Sequence, residues 1–164
     1  MTYDSPVTRL QIGEVAPRFS MTADDGALVT NDGLAGQRYV LYFYPKDDTP
    51  GCTTQACSLR DNWSRVADTG IQLFGVSPDS VKSHARFRDK YRLPYRLLSD
   101  EGHAVAEAFG VWIEKSFAGR TYHGNERTTF VIGPDGRVEA VLPRVKPDEH
   151  VDLLLGAVAG GVPG

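Results

Sequence analysis

Residues 38–57, RYVLYFYPKDDTPGCTTQAC, run from an apolar segment through a proline-bracketed turn into the only two cysteines of the chain. Tyr39 to Tyr44 are aromatic, β-branched or leucine, with no polar break. So short and apolar a run is a strand covered on both faces, hence a central strand. Thr49-Pro50-Gly51 then offers a capping hydroxyl and a proline suited to a first helical turn, so a helix follows. Within it Cys52, Ala56, Leu59, Trp63 and Val66 recur at steps of four and three, the stripe of a helix packed on a sheet. Cys52 is thereby placed on the buried side of the first turn.

Working outward, residues 71–76 (IQLFGV) read as a second buried strand, and SPDS (77–80) starts a helix that runs to about Tyr91. A short strand is expected at 95–100 and a short helix at 103–110, closed by Gly110. Strands return at 128–132 and 137–143 around the turn GPDG, and a last helix spans about 148–159. Strands alternating with helices and ending in a hairpin predict an α/β fold, a mixed central sheet flanked by helices on both faces, with thioredoxin-like architecture. Residues 1–10 read as a flexible leader and 160–164 (GGVPG) as a frayed tail on one domain.

Composition narrows the function classes. With 41% hydrophobic and 24% charged residues over 164 positions the chain has the balance of one globular domain. A formal charge of −3 gives no general attraction to phosphate backbones or anionic lipid, so neither nucleic acid nor membrane is an expected partner. The N-terminus lacks a basic segment followed by an apolar run, which predicts a cytoplasmic protein. The basic run 82–92 is expected to be the solvated face of its helix.

What can two thiols at this spacing do? In a regular helix, residues five apart are rotated by about 140° with Cα atoms roughly 8.5 Å apart. A disulfide needs Cα atoms within about 7 Å, so Cys52 and Cys57 cannot bond while the helix is intact. A permanent bridge is therefore a poor staple. A zinc site is no better supported, because His84, His103, His123 and His150 are scattered singly and each reads as a surface or helix-end residue. Two inert thiols that merely pack remain possible. The reactive reading explains more: a first-turn cysteine meets unpaired amide hydrogens and the positive dipole end, which favour thiolate. An oxidised Cys52 would then need a nearby thiol, and Cys57 becomes available if the first turns loosen. Asp47 and Asp48 oppose this activation if their charges face the sulfur.

The segment YFYPKDDTPGCTTQAC resembles the active site of peroxiredoxins, whose signature Pro-x-x-x-Thr/Ser-x-x-Cys is here Pro45, Thr49 and Cys52. The second cysteine five positions on, followed by SLRDNW, resembles the Q-type subgroup, also called bacterioferritin comigratory protein. The likeness continues through residues 99–136 and covers nearly the whole chain. It implies a thiol peroxidase for hydrogen peroxide and organic hydroperoxides, without metal or organic cofactor, and a monomer, with a weak dimer as the alternative. By resemblance Cys52 is the peroxidatic cysteine and Cys57 the resolving one, their disulfide being reduced by thioredoxin or a similar dithiol. Thr49 is implied to aim its hydroxyl at thiolate and peroxide, Pro45 to shield the sulfur, and Arg127 to hold thiolate and peroxide together. Gln55 stands where relatives carry an acid or an amide, and its role stays open. Taken singly, Thr49 reads as a helix cap, Pro45 as a strand terminator and Arg127 as half of a surface ion pair with Glu126. A redox sensor and a thioredoxin-like disulfide reductase are the competing functions, the second disfavoured because such enzymes separate their cysteines by two residues rather than four.

Overall fold

The computed structural model describes residues 9–160. In chain order its elements are β1 (Ser20–Ala23), β2 (Leu28–Thr30), β3 (Tyr39–Phe43), α1 (Pro50–Asp61), α2 (Trp63–Ala67), β4 (Gln72–Ser77), α3 (Val81–Tyr91), β5 (Arg96–Ser99), α4 (Ala104–Ala108), β6 (Trp112–Phe117), β7 (Arg120–Asn125), β8 (Thr128–Ile132), β9 (Val138–Leu142) and α5 (His150–Gly160). Seven strands form one sheet in the order β2-β1-β5-β4-β3-β8-β9, and β6 and β7 form a separate hairpin. Strands β3, β4 and β5 are parallel and the remaining pairs antiparallel, so the sheet is mixed as expected.

The apolar run at the start of the quoted segment explains why β3 sits inside. All five of its residues are buried, and strand alternation sends them to two cores. Tyr39, Leu41 and Phe43 join Phe19, Phe109 and Phe130 on one face, while Val40 and Tyr42 join Cys52, Ala56, Leu59 and Phe87 on the other. Helices α1, α2, α3 and α5 cover that second face; α4 covers the first through Val105 and Ala106. Each large side chain so removed from water favours folding by about 1.5–3 kcal/mol. The parallel strands β3 and β4 end at one edge, where the loops carrying Pro45 to Thr49 and Pro78 to Ser80 meet. Open α/β sheets present ligands at this edge.

Four findings depart from the sequence-based expectations or add to them. The helix after Thr49 is not continuous to Val66: it stops at Asp61 and resumes at Trp63. Asn62 causes the break, because its Nδ2 donates to the Ser58 carbonyl at 2.9 Å and its backbone leaves the helical region, with ψ at 21°. Asparagine side chains compete for backbone partners in this way. Val66 and Leu59 remain fully buried, whereas Trp63 is half-buried and stacks on Tyr95. Second, the Thr49 hydroxyl does not cap α1. It donates to the Lys46 carbonyl at 2.9 Å, within a turn where Asp48 has φ +57°. Third, β1, β2 and the hairpin β6–β7 had no clear apolar signature. The hairpin is mostly exposed on both faces and turns at Ala118-Gly119, both with positive φ. Fourth, the leader is shorter than expected: Arg9 bonds Glu126 and Leu10 is buried with its amide on the Phe109 carbonyl. The remaining leader and tail expectation concerns residues 1–8 and 161–164, outside the described residues. Among the described residues no helix is long and apolar enough to cross a membrane.

Candidate active site

Cys52 lies in the first turn of α1 and is 2% exposed. Its sulfur faces the guanidinium of Arg127, 75 residues away in sequence, whose Nη1 donates to Sγ at 3.3 Å. Two residues, Glu126 and Arg127, connect β7 to β8, and consecutive side chains there point to opposite sides. Glu126 accepts from Arg9 Nη2 at 2.5 Å and from Thr128 Oγ1 at 2.8 Å. It is thus not the partner of Arg127, which lies over α1 so closely that a Cβ on Gly51 would stand 3.2 Å from Nη2. A glycine at position 51 leaves room for that approach.

The same Nη1 donates to Gln55 Oε1 at 2.7 Å. Gln55 is fully buried, one turn after Cys52, and its Nε2 lies 2.9 Å from His150 Nδ1. His150, the first residue of α5, lies 2.8 Å through Nε2 from Thr129 Oγ1 on β8. Burial, with the neighbouring Arg127 charge second, lowers the His150 pKa from 6.5 to about 3, so its ring is neutral at working pH. The expectation that each histidine is a surface or helix-end residue is corrected for His84, which lies inside α3 and is 0% exposed; His150 does stand at a helix end, but it too is 0% exposed. Both are buried because each ring nitrogen has a partner.

The two acids near the cysteine face elsewhere. Asp47 is buried and accepts from Tyr44 OH at 2.6 Å and Ser83 Oγ at 2.8 Å, with His84 Nδ1 also 2.8 Å away. The His84 Nε2 donates to the Leu98 carbonyl at 3.0 Å. Asp48 is exposed, and the hydrogen bonds from Lys90, first, and Tyr91, second, hold its carboxyl below the ordinary carboxylate range. Both carboxylates are therefore engaged by α3 rather than left to oppose a thiolate. Pro45 stands half-buried two residues after β3, and Thr49 half-buried at the head of α1. Lys115 on β6 is a further member that the sequence did not mark. Burial, and then the Arg127 charge, lower its pKa, while the Cys52 charge acts in the opposite sense.

Cys57 is half-buried on the same helix as Cys52, and both thiols are free. Bond formation between them requires the turns between Thr53 and Ala56 to open. Amide hydrogen exchange should therefore speed up across residues 52–57 after treatment with one equivalent of peroxide, by at least about tenfold over the reduced protein. Unchanged protection in a fully oxidised sample would show that the disulfide does not form across this helix.

Residues 12–141 match the AhpC/TSA family. The chain is 47% identical over 146 residues to peroxiredoxin Bcp of Escherichia coli, covering 89% of this chain and 94% of the relative. It is 44% identical over 142 residues to peroxiredoxin Bcp of Bacillus subtilis, covering 87% and 90%. Among solved structures, a bacterioferritin comigratory protein from Xanthomonas campestris superposes with a TM-score of 0.81 at 37% identity, over 87% of this chain and 90% of that one. That protein is described with alkyl peroxide reduction activity in trapped-intermediate and ligand complexes. A cysteine-to-serine mutant of Xylella fastidiosa PrxQ superposes with a TM-score of 0.87 at 30% identity, over 95% and 99%.

Proposed function

The chain belongs to the AhpC/TSA family, among the Bcp or Q-type peroxiredoxins, which are thiol peroxidases, and we propose that Cys52 is its peroxidatic and Cys57 its resolving cysteine. The observation that carries this reading is the 3.3 Å contact between Arg127 Nη1 and Cys52 Sγ in the first turn of a helix. The Cys52 thiolate attacks the terminal oxygen of a hydroperoxide: an S–O bond forms, the O–O bond breaks, and the departing oxide takes a proton to leave as water or alcohol. Negative charge moves from sulfur to the leaving oxygen, so a fixed guanidinium stabilises the transition state more than the ground state. Arginine suits this because its charge is permanent and its donors form a rigid fork.

Thr49 takes part by turning its hydroxyl from the Lys46 carbonyl toward the peroxide oxygen, one χ1 rotation away from its resting partner. Pro45 limits water at the sulfur. Resolution follows when α1 loosens. The Cys57 thiolate attacks the Cys52 sulfur, an S–S bond forms and hydroxide leaves as water, ahead of overoxidation to the sulfinic acid. A dithiol of the thioredoxin type then reduces the disulfide, working on a monomer in a reducing compartment such as the cytoplasm. Hydrogen peroxide and organic hydroperoxides are the substrates, since only the terminal O–O unit reacts.

The test compares peroxide consumption by the wild type and Cys57→Ser with thioredoxin, its reductase and NADPH. Wild type turns over continuously. Cys57→Ser should consume about one equivalent and stop, with a sulfenic acid at Cys52 that a 1,3-dione traps. Continuous turnover by Cys57→Ser at the wild-type rate would remove the resolving role from Cys57. Absence of a trapped adduct would remove the first step from Cys52.

A further inference from the structure

The guanidinium of Arg127 is held from behind by groups that have no place in the peroxide chemistry just described. Their hydrogen-bond directions can be derived without freedom. A guanidinium only donates, so the Gln55 atom 2.7 Å from Arg127 Nη1 must be the carbonyl oxygen. The amide nitrogen of Gln55 then faces His150, and because that nitrogen only donates, Nδ1 of His150 must be the acceptor. The ring proton consequently sits on Nε2 and is donated to Thr129 Oγ1 at 2.8 Å. Thr129 lies two residues after Arg127, hence on the same side of the extended chain. The four residues close a ring that begins and ends on one short segment.

We propose that His150, in its neutral Nε2–H form, is a positioning residue for Arg127: it fixes the amide of Gln55 so that its carbonyl holds the guanidinium against Cys52. This rests on the assignment of Arg127 to the peroxidatic site. Gln55, being buried and one turn after Cys52, can reach Arg127 and His150 at once only in this orientation. An imidazolium or an Nδ1–H ring would set N–H against N–H, turn the Gln55 amide over, and present a donor to Arg127. Among the described residues the ring bonds Gln55 of α1 and Thr129 of β8, meets the Tyr42 ring of β3 at 5.3 Å between centroids, and feels the charge of Arg127. Among the described residues no carboxylate is bonded to it to retain a second proton, and desolvation works in the same direction. The local sequence EHV at 149–151 announces none of this.

The experiment has two arms. In the reduced wild-type protein, two-bond proton–nitrogen correlation spectra of the imidazoles should show His150 as the Nε2–H tautomer with no titration between pH 5 and 8. The His150→Phe spectrum supplies the assignment. An Nδ1–H tautomer, or titration near the ordinary histidine range, overturns the proposal with no variant needing to be active. In the second arm the rate constant of Cys52 with hydrogen peroxide is measured by stopped flow. His150→Phe should lower it by about tenfold, the scale of a displaced catalytic group. In an Arg127→Met background the same change should lower it less than twofold, because the residue being positioned is gone. Equal losses in both backgrounds reduce His150 to a packing role and overturn the proposal. An Arg127→Met single variant with the wild-type rate instead overturns the site assignment itself, which the double comparison distinguishes.

Discussion

Peroxide consumption by the Cys52→Ser protein is expected to fall to the rate of buffer alone. Serine keeps the volume and the position, since the site is closed and Arg127 is still there to meet an oxygen in place of sulfur. What disappears is the proposed nucleophile. A hydroxyl remains protonated near neutral pH and is a far weaker nucleophile than sulfur. An oxygen displacing an oxygen would also yield only another peroxide, with no sulfenic product to remove. If the acceleration lies in the ordinary range of enzymes, the loss is about 10⁶-fold or more. The measurement is initial peroxide loss with thioredoxin, its reductase and NADPH in excess, beside circular dichroism to show that the fold persists. Activity above about 1% of wild type would mean that Cys57, the only other thiol, starts the reaction, and the roles given above would have to be exchanged.

Arg127→Met comes second in size. Methionine fills the half-buried space but donates nothing, so the transition state loses a charged donor aimed at the reacting atoms. Removal of one such preorganised donor costs about 10²–10³-fold in rate, or roughly 3–4 kcal/mol. Arg127→Lys should recover only part of this. A single ammonium cannot reproduce the fork that now meets Cys52 Sγ and Gln55 Oε1 together. The discriminating control is alkylation of Cys52 by iodoacetamide, whose leaving group is not the oxygen the guanidinium is proposed to serve. Alkylation should slow by much less than peroxide reduction. Equal slowing of both reactions would limit Arg127 to favouring the thiolate, and an unchanged peroxide rate would remove it from the site.

The resemblance carried by Pro45, Thr49 and Cys52 led to the same family that residues 12–141 match. The surroundings of these residues were less legible. Thr49 heads α1 as expected, yet its hydroxyl prefers the carbonyl three residues back, because the tight turn at Asp47 and Asp48 delivers that acceptor. The helix stripe was right that Cys52, Ala56, Leu59 and Val66 are buried, overstated the burial of Trp63, and was wrong about continuity, since the Asn62 side chain finds the Ser58 carbonyl and the backbone departs there. The hairpin β6–β7 escaped notice because a ribbon exposed on both faces has no apolar period to display.

The central strand, the order of most elements, the placement of Cys52 in a helical first turn and the incompatibility of a Cys52–Cys57 bond with that helix follow from the amino-acid order alone. Each depends on local geometry: strand alternation, helical rotation and caps act over a few residues and leave their mark in the chain. Apart from the family resemblance, which had implied a place for Arg127 beside Cys52, it took the tertiary structure to decide that Arg127 meets Cys52 and not Glu126, that Asp47 and Asp48 turn to α3, and that His150, 98 positions after Cys52, stands behind Gln55. These are contacts between side chains brought from different strands and helices, where burial forces every polar atom to find a partner. Which partner it finds depends on how the elements pack, and no periodicity in the sequence encodes that choice.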